Sequence, residues 1–214
     1  MHRVLVGAVV VCAALTAGLT ACEPTDDVAL WHMDETSGSV MQDAAGDNDG
    51  QLSSVELGEP GLTGNAYRFT GHSKVTVPSS DELNAGSADL TVTISLNSTA
   101  TPDHADWDLI RKGKADASGG LFKVEYMPNG QAYCGFKGSK SASIQEGPAL
   151  DDGDWHTVKC IKTSSQIKLV VDGETFSKSA TVGSITNSEP VIIGSHGGSE
   201  FFEGLLDEAS IRID

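Results

Sequence analysis

The sequence contains few aromatic residues, few basic residues and almost no long apolar runs. Aromatic residues make up 6% of the 214 positions and include three tryptophans, so the chain lacks the broad aromatic platform of a dedicated polysaccharide binder. Lys and Arg number 14 against 30 Asp and Glu, and the formal net charge is -16. Because such a surface repels the phosphate backbone, we expect no nucleic-acid partner. The acidity suits hard cations such as calcium, although it also serves simply to keep an exported protein soluble.

The one extended apolar run lies at the N-terminus and has the form of a secretory signal. A short basic start precedes apolar residues from Val4 to about Leu15, and small residues follow. The run is too short to span a bilayer as a stable helix. We therefore assign residues 1–21 to a signal peptide, residues 22–27 to a brief tether and residues 28–214 to the folded domain.

The end of this segment, "LTAC" at residues 19–22, resembles the box of bacterial lipoproteins, in which the cysteine becomes the lipidated N-terminus. On this interpretation Cys22 carries a lipid, and the lipid is the only contact with a membrane. The alternative is ordinary signal-peptidase cleavage after Ala21, which would leave a free thiol at the mature N-terminus. Both interpretations predict an extracellular or cell-surface protein.

Four cysteines are present, and two of them lie in the predicted mature domain. Cys12 leaves with the signal peptide, and Cys22 is the predicted anchor. Cys134 and Cys160 remain, each within a strand-like run. An even pair of cysteines in an exported protein predicts a disulfide; the alternative is two buried thiols.

No helical period follows the signal peptide. Short runs of alternating apolar and polar residues recur instead, for example "AYRFTG", "SKVTVP" and "LTVTISLNS", between clusters of Gly, Asn, Asp, Ser and Pro. The segment "VDGE" at residues 171–174 predicts a tight hairpin turn. About a dozen such strands predict an all-β fold, an antiparallel sandwich or barrel.

Three segments in chain order carry a family resemblance: "ALWHMDETSG" near the start, "DGDWHTVKC" in the second half and "GLLDEASI" near the end. They resemble the corresponding segments of bacterial laminin G-like domains, which belong to the concanavalin A-like lectin/glucanase superfamily. The resemblance implies a jelly-roll β-sandwich whose first and last strands lie side by side. It also implies binding of carbohydrate, matrix proteins or other surface ligands, while some members of the superfamily are glycoside hydrolases or lyases.

An acidic loop follows the first predicted strand and contains Asp43, Asp47, Asn48 and Asp49. Calcium prefers carboxylate, amide and carbonyl oxygens in relaxed geometry. The resemblance implies that this loop is joined by an acid near the last strand, which by position is Asp207. We therefore predict a structural calcium site from these five residues. The alternatives are a solvated turn without metal and a catalytic use of the carboxylates.

Catalytic motifs are weak in this sequence. The adjacent acids Asp34–Glu35 and Asp207–Glu208 point to opposite faces of their strands, so neither pair forms an active site by itself. Glycosidases need two carboxylates at a defined separation, which leaves Asp34 with Glu208 across neighbouring strands as one pairing. We predict no catalytic residues.

Candidate ligand contacts are Trp107, Phe201 and Phe202, since exposed aromatic rings stack on sugar faces. Trp107 has burial in the core as its alternative. The sequence thus predicts a non-catalytic binding module for a glycan or a surface protein. A divergent carbohydrate-active enzyme, either a glycoside hydrolase or a lyase, and a purely structural envelope protein are the alternatives.

Overall fold

The computed structural model describes residues 27–214, which form two antiparallel β-sheets packed face to face. The predicted signal peptide, Cys22 and the tether up to residue 26 lie outside the described residues. In chain order, the described residues contain sixteen strands and one 3-10 helix (Asp81–Leu83): β1 Asp27–Trp31, β2 Val40–Met41, β3 Gly50–Ser53, β4 Glu56–Pro60, β5 Asn65–Phe69, β6 Lys74–Val77, β7 Leu90–Asn97, β8 Trp107–Lys112, β9 Leu121–Tyr126, β10 Ala132–Lys137, β11 Ser141–Gln145, β12 His156–Lys162, β13 Gln166–Val171, β14 Glu174–Ser179, β15 Val191–Ile193 and β16 Gly204–Ile213.

The two sheets contain eight strands each. The back sheet has the order β14-β13-β12-β7-β16-β5-β4, and β1 also pairs with β16. The front sheet has the order β11-β10-β9-β8-β15-β6-β3-β2. This antiparallel sandwich confirms the predicted fold class, with more strands than the dozen predicted because several, such as β2 and β15, are very short.

The first and last strands pair, as the family resemblance implied. Ala29 lies opposite Ile211, and Trp31 lies opposite Ala209. The other edge of β16 pairs with β7 from Leu205 to Ile213, so the last strand of the chain lies in the interior of the back sheet.

Alternation of residue types explains why these segments form strands. In β7 the residues Leu90, Val92, Ile94 and Leu96 are all completely buried, and the threonines between them face the other way. Each such aliphatic side chain contributes about 1.5–3 kcal/mol when it is fully buried. The predicted turn between β13 and β14 is also found, with Asp172 and Gly173 both at positive φ.

The predicted disulfide is confirmed. Cys134 lies in β10 of the front sheet and Cys160 lies in β12 of the back sheet, with their Cα atoms 5.5 Å apart. Both side chains are completely buried in the core. The bond therefore fastens the two sheets to each other from inside the sandwich.

Replacing both cysteines with alanine is expected to lower the free energy of unfolding by about 3 kcal/mol, because the 26-residue separation is no longer closed in the unfolded chain. Denaturant unfolding of the C134A/C160A protein beside the wild type, each with and without reductant, measures this. Reductant should destabilise only the wild type. Equal stability of the wild type and the C134A/C160A protein in the absence of reductant would contradict the expectation.

Candidate functional site

A group of charged and aromatic side chains lies on the outer face of the front sheet, on strands β8, β9 and β10. Cross-strand pairing places Asp108, Glu125 and Tyr133 in one row and Arg111, Lys123 and Gly135 in the next. The residues between them, such as Val124 and Cys134, point inward and belong to the core. We call Asp108, Arg111, Lys123, Glu125 and Tyr133 the charged face.

A bulge in β8 brings Asp108 and Arg111 to the same side of the sheet. Asp108 pairs with Glu125, but Ile110 pairs with Val124, so Leu109 is an extra residue in β8. Without it, strand alternation would send residues 108 and 111 to opposite faces. The bulge thus creates the ion pair at the centre of the charged face.

Asp108 and Arg111 form a buried ion pair. The Arg111 Nη1 atom donates a hydrogen bond of 2.8 Å to Asp108 Oδ2. The Arg111 side chain is 4% exposed and the Asp108 side chain is 0% exposed. Arg111 also donates from Nε and Nη2 to the carbonyl of Gly113 at 3.2 and 3.1 Å. Burial raises the pKa of Asp108 to about 6, although Arg111 opposes the rise.

The second charged pair joins Lys123 to Glu125 across the same face. The Lys123 ammonium contacts the Glu125 carboxylate and also lies 5.3 Å from the centre of the Tyr133 ring. Glu125 is 2% exposed. The pKa of Glu125 is raised to about 8, mainly by burial and also by a hydrogen bond with Asp106, while Lys123 opposes the rise.

Two loops and several cavities surround the charged face. The backbone N–H of Asp108 donates to the carbonyl of Glu200 at 3.2 Å, which holds the loop before β16 against β8. A cavity of about 670 Å³ between this loop and residues 102–107 is lined by Asp106, Trp107 and Phe201, among others. A groove of about 270 Å³ lies on the opposite side, with Lys123, Tyr133, Gly135, Ser143 and Lys178 in its lining.

The three predicted aromatic ligand contacts have different environments. Trp107 is half-buried, stacks on Tyr126 with ring centres 6.1 Å apart and meets Phe202 edge-on at 5.9 Å. Phe201 is half-buried against His72 and lines the same cavity as Trp107. Phe202 is completely buried, so the prediction that it contacts ligand is corrected, since a ring without exposed surface cannot stack on a sugar.

The predicted calcium loop is held together by its own hydrogen bonds. Asp43 accepts backbone N–H groups of Leu30, Ala45 and Asn48 at 2.9, 2.9 and 3.0 Å, which occupy both carboxylate oxygens. Asn48 donates to the carbonyl of Val28 and accepts from Ser80. The loop therefore fastens β1 to the segments around it.

The remaining loop acids, Asp47 and Asp49, are exposed. Asp49 accepts the backbone N–H of Asp43 at 2.9 Å, which closes the loop across its base.

The fifth predicted ligand, Asp207, belongs to a different contact. Its Oδ2 atom accepts the N–H groups of Leu62 and Thr63 at 2.8 and 3.2 Å, and its Oδ1 atom accepts that of Glu208 at 2.9 Å. Burial raises the pKa of Asp207 to about 6. Asp207 thus anchors the turn between β4 and β5.

The described residues contain two groups of three His, Cys, Asp or Glu side chains whose ligand atoms all lie within 4.8 Å of one another. Neither includes a predicted calcium ligand; the members are Asp106, Asp108 and Glu125 in one and Asp108, His196 and Glu200 in the other. The structure therefore does not bring the five predicted ligands to one point, because Asp207 is held by the turn at residues 62–63. Whether the protein binds calcium stays a prediction.

The comparison with protein families agrees with the architecture. A laminin G family described as "Concanavalin A-like lectin/glucanases superfamily" matches residues 69–212. The chain belongs to the concanavalin A-like lectin/glucanase superfamily. The matched segment runs from β5 to β16 and contains the whole charged face of this superfamily member. A comparison with curated protein sequences found no match.

Solved structures share the fold of this concanavalin A-like domain at low sequence identity. The binding domain of Paraclostridial Mosquitocidal Protein 1 is 16% identical, with a TM-score of 0.69 over 90% of this chain and 50% of that one. Domain 4 of AbnA, a GH43 extracellular arabinanase from Geobacillus stearothermophilus solved with arabinotriose, is 16% identical, with a TM-score of 0.64 over 86% of this chain and 91% of that one. Domains LG4-5 of the mouse laminin alpha1 chain are 19% identical, with a TM-score of 0.53 over 67% and 39%.

These relatives differ in how much of them this chain represents. The chain spans about half the length of the mosquitocidal binding domain, 50%, but nearly all of the arabinanase domain.

Within residues 27–214, no helix has the length and apolar character that a membrane crossing requires.

Sequence reasoning missed the charged face, apart from its neighbour Trp107. Lys123 and Glu125 occupy alternate positions of the apolar run "LFKVEY", and that alternation could have marked them as one polar face. Asp108 and Arg111 carry no such signal, because only the bulge places them together.

Replacing Asp43 with alanine is expected to lower the free energy of unfolding by about 3 kcal/mol, because backbone N–H groups of Leu30, Ala45 and Asn48 lose their acceptor. Asp47→Ala, on the same loop but exposed, is the matched control and should change stability by less than about 0.5 kcal/mol. Denaturant unfolding, once in a chelator and once with calcium, measures the stability of both variants. A loss for Asp43→Ala that appears only with calcium present would contradict a purely hydrogen-bonded loop.

Proposed function

We propose that this protein is a non-catalytic carbohydrate-binding module that binds its ligand in the groove beside Tyr133 on the charged face. The observation that carries the proposal is the composition of this groove. It places a half-buried aromatic ring next to amines and a hydroxyl, those of Tyr133, Lys123, Lys178 and Ser143. An aromatic ring stacks on the apolar face of a sugar, and amines and hydroxyls hydrogen-bond its hydroxyl groups.

Gly135 keeps the groove open. A Cβ atom at this position would lie 2.9 Å from the Tyr133 ring and 2.9 Å from the Lys123 side chain, closer than ordinary contacts allow. A larger residue would push the Tyr133 ring and the Lys123 side chain away from their positions over Gly135. The absence of a side chain at Gly135 thus lets Tyr133 and Lys123 lie close together in the lining of the groove.

The buried ion pairs support a rigid site. Lys123 is held by Glu125, and the neighbouring Arg111 is held by Asp108, so the groove wall is organised before a ligand arrives. A binding surface that is already ordered loses less conformational entropy on association.

The burial of the carboxylates favours binding over hydrolysis. A glycosidase acid must reach the glycosidic oxygen, and its partner must reach the anomeric carbon or a water. Asp108 is 0% exposed and Glu125 is 2% exposed, and each is paired with a cation. These carboxylates are therefore poorly placed to contact a sugar.

The proposed location is extracellular or cell-surface. A disulfide inside the core is typical of proteins that fold in an oxidising compartment. The signal-like segment at residues 1–21 and the lipoprotein-like Cys22 support export and a lipid anchor, both of which belong to the proposal. The likeness to an arabinanase domain solved with arabinotriose makes oligosaccharides a sensible first class of ligand.

A glycan array with the protein, followed by calorimetry on the strongest ligand, tests the proposal. Tyr133→Ala is expected to weaken binding by about tenfold, which corresponds to the loss of one stacking contact. The matched control is Leu62→Ala, which removes an apolar side chain that is 43% exposed on a turn next to the back sheet. It should bind like the wild type.

Two outcomes would contradict this function. Unchanged affinity of Tyr133→Ala for the ligand would move the site away from the groove. Release of reducing sugar ends during prolonged incubation, abolished by Glu125→Gln, would show instead that the charged face is catalytic.

A further inference from the structure

A cluster of carboxylates borders the charged face at the end of β8. Ligand atoms of Asp106, Asp108 and Glu125 all lie within 4.8 Å of one another. Three acids from two adjacent strands and the preceding loop thus converge on a space of the size that one cation occupies. Asp106 also lines the 670 Å³ cavity, so the cluster borders this cavity through one of its three members.

Carboxylates outnumber the arginine and lysine side chains paired with them around this cluster. Four carboxylates lie in the two overlapping groups, those of Asp106, Asp108, Glu125 and Glu200. The fixed cations paired with them are Arg111 and Lys123. Three carboxylates that converge on one space repel one another, and a divalent cation between them would relieve this repulsion.

One oxygen of Asp108 points to the same conclusion. Its Oδ2 atom accepts from Arg111, but its Oδ1 atom is buried and has no hydrogen-bond partner among the described residues. Asp108 is completely buried. A buried carboxylate oxygen without a partner is costly unless something else coordinates it.

We propose that Asp106, Asp108 and Glu125 bind one calcium ion, with Asp108 Oδ1 as its central ligand. All three donors are carboxylates, which hard cations prefer. Calcium tolerates irregular geometry and accepts a carboxylate through one or both oxygens, whereas magnesium requires a near-ideal octahedron. The ion would lie at residues that differ from the acidic loop at 43–49, and it would not depend on the groove at Tyr133 binding sugar.

Calcium titration of the chelator-treated protein, followed by calorimetry and thermal unfolding, tests the site. The wild type should bind one ion and its melting temperature should rise with calcium. Asp106→Asn should weaken calcium binding by about tenfold or more, since it removes one charged ligand from a half-buried position. Its melting temperature in chelator should match that of the wild type, which shows that the variant folds.

Asp47→Asn is the matched control, because it removes an exposed acid from the sequence-predicted loop. It should bind calcium as the wild type does. Loss of binding in Asp47→Asn with full binding in Asp106→Asn would overturn the proposal in favour of the loop.

Zinc and His196→Gln complete the test. The second group contains an imidazole, and a mixed nitrogen and oxygen set suits zinc better than calcium. Calcium binding that His196→Gln leaves intact supports the carboxylate site. Tight zinc binding that His196→Gln abolishes, with no calcium binding in the wild type, would overturn it.

Discussion

The structure depends on the position of the last strand, β16, in the interior of the back sheet. One edge of β16 pairs with β7 over almost its whole length. The other edge pairs first with β5 and then with β1, so the first and last strands of the described residues lie side by side in one sheet. The sheet is therefore complete only when the ten residues of β16 are in place, since their backbone N–H and C=O groups bond to strands on both sides.

A bulge makes the change of partner possible. The register of β16 shifts between Asp207 and Ser210, and Glu208 adopts a positive φ of 49° there. Asp207 accepts N–H groups from the turn at residues 62–63, and Glu208 contacts His32 and Thr63. Asp207 and Glu208 therefore hold β16 to the turn before β5 and to residues near β1.

The proposed sites lie on the outer face of the front sheet, because its inner face belongs to the core. Val124 and Cys134 pack inward, and the disulfide from Cys134 to Cys160 fixes β10 against the back sheet. Their neighbours Glu125 and Tyr133 must then face outward. A rigid strand framework and buried ion pairs therefore position the proposed sugar groove and the proposed cation ligands on one surface.

Much of the fold was predictable from local patterns. Alternating residues in segments such as "LTVTISLN" predicted strands, and the Asp-Gly pair at residues 172–173 predicted a turn. The even pair of cysteines predicted the disulfide. The family resemblance implied that the first and last strands pair, as β1 and β16 do. The surroundings of single side chains were less predictable: Asp43 accepts backbone N–H groups, and Phe202, predicted to contact ligand, is buried.

The sequence by itself determined the strand-rich architecture, the acidic surface and the disulfide. Alternation is a property of neighbouring residues, and net charge and the number of cysteines are properties of the whole chain, so each can be read without knowing which strands pair. Only the tertiary structure decided which acids meet. Asp108 reaches Glu125 and Arg111 through a one-residue bulge and a cross-strand register. Register depends on packing between strands far apart in sequence, and no local pattern records it.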